Sequence, residues 1–193
     1  MFRKKREEEQ EYEKPTSIGR EIWEYVRLIL IVVVAVILVT NFLIINARIP
    51  SESMENTIMA GDQIFGNRLA YLFSDPERFD IVIFRYPDDE SQLFIKRIIG
   101  LPGETVTIED GKVYINDSTE PLDDSFCPET PLGGEQYRDG VYEVPEGHYF
   151  MMGDNRNHSS DSRYWNNKYV ARDKILGKAV LRYWPLTEIK LLN

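Results

Sequence analysis

Cysteine is almost absent from this chain. Cys127 is the only one in 193 residues, so no intramolecular disulfide and no cysteine-built zinc site can form. Only two histidines occur, which argues against a multi-histidine metal site. Basic charge is in deficit, with 23 Lys and Arg against 32 Asp and Glu and a net charge of −9. A nucleic-acid binder held by phosphate contacts does not fit that balance. Familiar catalytic signatures are missing as well: there is no GxSxG, no HExxH, no Walker loop and no paired CxxC. No internal repeat occurs. What is present is 42% hydrophobic and 28% charged residues, a composition that can fill a globular core.

The apolar residues are unevenly spread. Leu28 to Ile45 reads LILIVVVAVILVTNFLII, 18 positions broken only by Thr40 and Asn41. With Val26 and its neighbours this predicts a transmembrane helix over 26–45. Trp23 and Tyr25 stand where an interfacial aromatic belt would lie. The run is apolar on every face, whereas a core helix of a small domain keeps a polar stripe.

Seven basic residues precede the run (Arg3, Lys4, Lys5, Arg6, Lys14, Arg20, Arg27), and only Arg48 falls in the twenty after it. The positive-inside rule then predicts a cytoplasmic tail, 1–25, and an extracytoplasmic domain, 46–193. That outer part holds 16 basic and 25 acidic residues and so the whole −9. Ile45-Asn46-Ala47 is a poor small-x-small cleavage site, so the span is expected to stay as an uncleaved signal anchor. The stretch MFRKKREEEQEYEKP is expected to be a solvated, partly disordered charge run.

Beyond the span the pattern is β. FDIVIFRY (79–86) and QLFIKRII (92–99) are short runs rich in β-branched and aromatic residues. Tyr86-Pro87-Asp88-Asp89 separates them, and Gly100-Leu101-Pro102-Gly103 ends the second. Residues 105–108 and 112–115 flank Glu109-Asp110-Gly111, which predicts a hairpin with an Asp-Gly turn. Further strands are expected at 141–144, 148–152 and 175–184, with a long loop over 117–140. The expected fold class is mainly β: a membrane-tethered, β-rich catalytic domain with one N-terminal transmembrane helix.

Three segments could carry chemistry. Ile49-Pro50-Ser51-Glu52-Ser53-Met54 places two serines just past the span. It reads either as a juxtamembrane linker or, given the apolar Ile49, Met54, Ile58 and Met59, as a packed turn presenting a nucleophile. Lys96 shares one strand face with Phe94 and Ile98, because strand side chains alternate. An ammonium among apolar groups loses hydration and its pKa falls. Bringing it from the usual value to about 8 means disfavouring the charged form by ~3 kcal/mol, which burial can supply. An isolated strand lysine is otherwise an edge or snorkelling residue. The third segment, GDNRNHSSDSRYW (153–165), reads as a loop of side-chain-to-backbone hydrogen bonds. His158 within it leaves a Ser–His arrangement with Asp154 or Asp161 open.

Taken together, the three segments resemble the type I (leader) signal peptidases, particularly the short Gram-positive kind. PSESM resembles that family's nucleophile motif, FDIVIFRYP with FIKRIIGLPGE its strand-and-base motif, and GDNRNHSSDSRYW its closing loop. Order, spacing and preceding anchor agree over residues 20–185. The resemblance implies Ser53 as nucleophile and Lys96 as general base. It implies Ser51, with the Ser53 backbone N–H, at the oxyanion, and Ser159 orienting the lysine amine. Asp154, Arg156, Asp161 and Arg163 would support the loop, the last two as a pair, and Arg97 would be structural. It further implies a serine endopeptidase that needs no metal or cofactor. Such an enzyme would cut preprotein signal peptides at small residues, at the membrane lipid surface, in company with the protein-export machinery. One departure stands out: Asn56 occupies the place of a usual proline, and since Asn tolerates turns the geometry is expected to survive. Two other readings are a non-catalytic membrane-tethered β-domain that binds exported chains and a self-cleaving repressor peptidase.

Overall fold

A computed structural model describes residues 18–127 and 129–192. The charged tail through residue 17 lies outside the described residues. The chain divides into two compact units, residues 1–39 and 40–193. In the first, helix α1 spans Ile18–Leu38; a π-helical turn, Val39–Leu43, follows it in sequence and falls almost wholly in the second. The stretch Ile18–Leu43 has a mean hydropathy of 2.8 and no buried residue, and it is long and apolar enough to cross a membrane.

The helix is longer at its start than the expected span of 26–45, being already formed at Ile18, and the strand that follows takes the last two residues of that range, Ile44 and Ile45. Ile45 is buried in the core of the second unit. Apolarity alone does not separate a lipid-facing residue from the first buried residue of a domain.

The second unit is mainly β, as expected. Its strands are β1 Ile44–Arg48, β2 Gln63–Asn67, β3 Ile81–Tyr86, β4 Asp89–Gly100, β5 Thr105–Glu109, β6 Lys112–Ile115, β7 Gly140–Glu143, β8 His148–Met152, β9 Tyr169–Ala171, β10 Ile175–Trp184 and β11 Lys190–Leu191. The large sheet runs β1-β2-β10-β3-β4-β8-β9, with β11 beside β10, and a small sheet runs β6-β5-β7. The 105–115 hairpin turns as read, with Asp110 at φ 49° and Gly111 at φ 75°. Two successive left-handed residues match the right-handed twist of the flanking strands. Strands β1, β2, β9 and β11 were not expected, being short or hidden in the apolar run. The 117–140 segment is a loop with one 3-10 turn at Glu135–Tyr137.

Strand β3 shows why the runs read as continuous apolar stretches. Its first four residues are all buried, because both faces of the sheet are covered. Ile81 and Ile83 enter one core cluster with Ile45, Met54 and Ile58, while Val82 and Phe84 enter another with Ile98, Met151 and Trp165. A third cluster joins Ile99, Val106 and Phe150 across to the small sheet.

Strand β4 is the longest and is paired unequally. Its first neighbour, β3, runs from Tyr86↔Asp89 to Ile81↔Arg97. Its second, β8, joins only at Arg97↔Met152 and continues to Gly100↔Phe150. Leu93 to Lys96 therefore have a strand on one side only, among the described residues. β1 ends the order of the large sheet and is likewise paired on one side.

Candidate active site

The turn that carries Ser53, the expected nucleophile, grows out of the end of β1. Ile49 N donates to Asp62 O at 2.9 Å, and Gly61 N to Ile49 O at 2.8 Å, closing the neck of the loop 50–60. Ile49, Met54 and Ile58 are buried beneath it, so the segment is packed rather than a free linker. Met59, expected with them, is exposed instead. Inside the loop Ile58 N donates to Met54 O at 2.8 Å, a short helical turn that begins just after Ser53. Asp62 caps it, accepting from Met59 N at 2.8 Å and pairing with Arg182 at 3.1 Å.

Ser53 and Lys96 meet. The lysine Nζ donates to Ser53 Oγ at 2.7 Å and to its neighbouring carbonyl, Ile95 O, at 3.1 Å. Lys96 is 4% exposed and Ser53 6%. The amine lies 5.4 Å from the centre of the Phe94 ring. Burial lowers the Lys96 pKa from the usual 10.5 to about 8, against the pull of the Asp161 and Asp154 charges, which favour the ammonium. Ser51 Oγ stands 3.3 Å from Ser53 Oγ.

The closing loop supports this pair from behind. Asp154 takes two bonds from Arg97, at 2.8 and 2.7 Å, and one from Thr57 Oγ1 at 2.5 Å. Asn155 N donates to Ser53 O at 3.1 Å. Arg163 pairs with Asp161 through two bonds, at 2.8 and 2.9 Å, and also donates to Arg156 O. Burial by itself would raise the Asp161 pKa, but the Arg163 charge and the bonds it accepts hold it below the ordinary carboxylate value.

Ser159 is placed differently from the expectation. Its hydroxyl is buried beside the site without a hydrogen bond of ordinary geometry, and it does not bond the lysine amine. It lies instead close enough to Asp161 to help lower that carboxyl. His158, the rival base, is exposed, and its Nδ1 faces Asn155 Oδ1 at 3.3 Å rather than Ser53.

Gly153 has a local reason to be glycine. A Cβ there would overlap both Ser159 Oγ and the carbonyl oxygen of Ser53. Gly153→Ala is therefore expected to push the nucleophile turn, lowering kcat by about 10²-fold and stability by about 1–3 kcal/mol. Steady-state kinetics beside a urea melt would check both effects.

Sequence reasoning missed several residues. Thr57, Asn155, Asp62 and Arg182 hold the turn, and Asp124 holds Arg156 by bonds of 2.8 and 2.7 Å. Thr57 and Asn155 stand within or beside the quoted motifs, a signal that could have been followed. Asp124, in an acidic loop, offered none.

The pair opens on a cleft of about 690 Å³. Ala47 to Ser53 form one wall, and Ile83 with Leu93 to Lys96 the other; His158 and Ser160 stand at its rim. The walls are thus the end of β1 with the loop that follows it, and the singly paired stretch of β4 with Ile83 of β3.

A buried amine touching a hydroxyl at the edge of an open groove is the equipment of a Ser–Lys hydrolase, and comparison with known proteins agrees. The pattern of the family described as signal peptidase, peptidase S26, matches residues 22–184. A probable signal peptidase I-2 of Synechocystis sp. is 41% identical over 75% of this chain, which spans 65% of that relative's length. The signal peptidase I of Leptolyngbya laminosa is 36% identical over 87% of this chain and 82% of its own. That of Bacillus licheniformis is 34% identical over 92% of this chain and 97% of its own. With most of its length matched in this way, the chain belongs to the signal peptidase (peptidase S26) family.

Proposed function

We propose that this chain is a membrane-anchored serine endopeptidase that removes signal peptides from exported preproteins. The observation that carries the reading is the 2.7 Å approach of the buried Lys96 amine to Ser53 Oγ. With a pKa of about 8, roughly a tenth of the amine is neutral at pH 7, against about 0.04% for an ordinary lysine. The neutral lone pair accepts the hydroxyl hydrogen as Oγ attacks the scissile carbonyl. The Ser53 N–H and the Ser51 hydroxyl supply donors for the oxyanion. The ammonium then protonates the leaving amine, and water activated by the same lysine releases the acyl-enzyme.

The groove suits an extended peptide. Both walls carry unpaired backbone edges, so a substrate strand can add between them by main-chain bonds, leaving side chains to select the site of cleavage. The anchor's cationic flank, Arg20 and Arg27, with Arg48 alone just after it, supports a cytoplasmic N-terminus and a catalytic domain outside. Ser53 follows the apolar stretch by ten residues, a tether of at most about 35 Å. A signal segment resting in lipid would present its cleavage site at the same boundary.

The test is cleavage of a preprotein by the full chain in lipid vesicles, with Ser53→Ala as the inactive control. Because the reactive form is the neutral amine, kcat/KM is expected to rise about tenfold per pH unit below pH 8 and to level off above it. A flat profile between pH 6 and 9, or a Ser53→Ala enzyme that still cuts, would overturn the reading.

A further inference from the structure

The 117–140 loop has no part in the chemistry described above, yet it touches the nucleophile turn. Asn56 Nδ2 donates to Phe126 O at 3.1 Å, across seventy residues of sequence. Asn56 sits at φ 77°, a left-handed conformation that proline, locked near −65°, cannot adopt. So the turn here is not the one a proline would set. It takes a different backbone path and adds a side-chain tie that proline lacks.

Two further ties hold the same strip of loop. Asp124 grips the Arg156 guanidinium through two bonds, and Arg156 Nε donates back to Gly153 O at 3.1 Å, the glycine packed against Ser53. The Phe126 ring lies 4.2 Å from the Arg97 guanidinium carbon, over the pair Arg97 makes with Asp154. Phe79, itself at φ 71°, meets that ring edge-on at 5.7 Å and gives its carbonyl to Arg97. A phenylalanine held left-handed is strained and persists only where its surroundings determine it.

We propose that Asp124 to Phe126 form a strap that positions the nucleophile turn, with Asn56 as its attachment point, so that Ser53 Oγ is held in line with the Lys96 amine. Asn56, Asp124 and Phe126 are positioning residues: none touches the reacting atoms. The turn is thereby tied both to the strap, through Asn56, and to the closing loop, through Thr57 and the Ser53 carbonyl, and losing one tie leaves it held by the other alone. This inference rests on the Ser53–Lys96 reading above.

The experiment compares Asn56→Gly with the unaltered chain. Glycine keeps the left-handed backbone and removes only the amide donor. The expected result is a five- to tenfold fall in kcat, with KM within twofold, an unmoved pH midpoint and a melting temperature lowered by no more than a few degrees. An intact melt excludes unfolding, and a fixed midpoint excludes a change at the lysine. Asp124→Asn is expected to act in the same direction, and the double variant to lose less than the product of the two, because both loosen one strap. Full kcat in Asn56→Gly, or strictly multiplicative losses, would overturn the strap. Either outcome leaves the Ser53–Lys96 reading standing, since that fails on a flat pH profile of the unaltered chain or on a Ser53→Ala enzyme that still cuts.

Discussion

Replacing Lys96 with methionine is expected to lower cleavage by at least about 10⁴-fold and, at pH 7, to make the protein more stable. The first effect follows from removing the base. The second follows from where the charge sits. Folding takes the ammonium out of water, and the fall in pKa from 10.5 to about 8 measures that penalty, about 3 kcal/mol. Below pH 8 the amine is protonated in both folded and unfolded chains, so the full penalty applies. Between pH 8 and 10.5 the unfolded chain holds a proton that the folded one has released, and stability rises with pH. Above 10.5 neither state is charged and the penalty is gone. Methionine has no charge to bury, so its advantage of up to about 3 kcal/mol is complete below pH 8 and fades toward pH 10.5. Thermal melts of both proteins at pH 7 and pH 10 would read it, as a rise of several degrees that shrinks with alkali. A Lys96→Met protein that melts lower at pH 7 would contradict the description of a solvent-starved amine.

The second large effect is expected at the Arg97–Asp154 pair. Both partners are buried and the pair is bidentate at 2.8 and 2.7 Å. Arg97→Met leaves the Asp154 carboxylate without its cation, and such half-pairs cost about 3–5 kcal/mol. Adding Asp154→Asn removes the stranded charge and is expected to restore much of the loss, because an amide can still accept from Thr57. Denaturant midpoints of the two single variants and the double would separate these terms. A loss below about 1 kcal/mol for Arg97→Met would show the pair to be better solvated than its geometry indicates. Activity is expected to fall with the pair, since Asp154 also holds Thr57 in the turn that carries Ser53.

The parts of this site that could be read from sequence are those where local pattern and chemistry coincide. Lys96 between apolar residues on a strand announces its own desolvation, and the structure places it as that alternation requires. The Asp161–Arg163 pair is two residues apart and needed no long-range information. The strands β3, β4, β5, β6, β7, β8 and β10 are legible as short apolar runs broken by turn residues. Less legible was anything that depends on which surfaces meet. Ile44 and Ile45 look like lipid-facing residues until β2 is known to pair with them. Asp124 is one acid among several in a polar loop, and only tertiary contact singles it out. The resemblance implies a bond from Ser159 to the amine, but its buried hydroxyl lies near Asp161 without an ordinary hydrogen bond, while the amine bonds Ser53 and Ile95. The left-handed Asn56 shows the same limit: residue type allows that conformation, and the partner across the turn selects it.

Lys96 stands at a seam in β4. At Arg97 the strand meets a partner strand on each side; from Leu93 to Lys96 it has one on a single side. Backbone hemmed by a single neighbour breathes more readily than backbone held by two. A guest chain lying in the vacant lane would supply the missing neighbour. On the proposed mechanism, the Lys96 amine would then be stilled by the peptide it is about to help sever, and the empty enzyme would idle with that amine on the looser stretch.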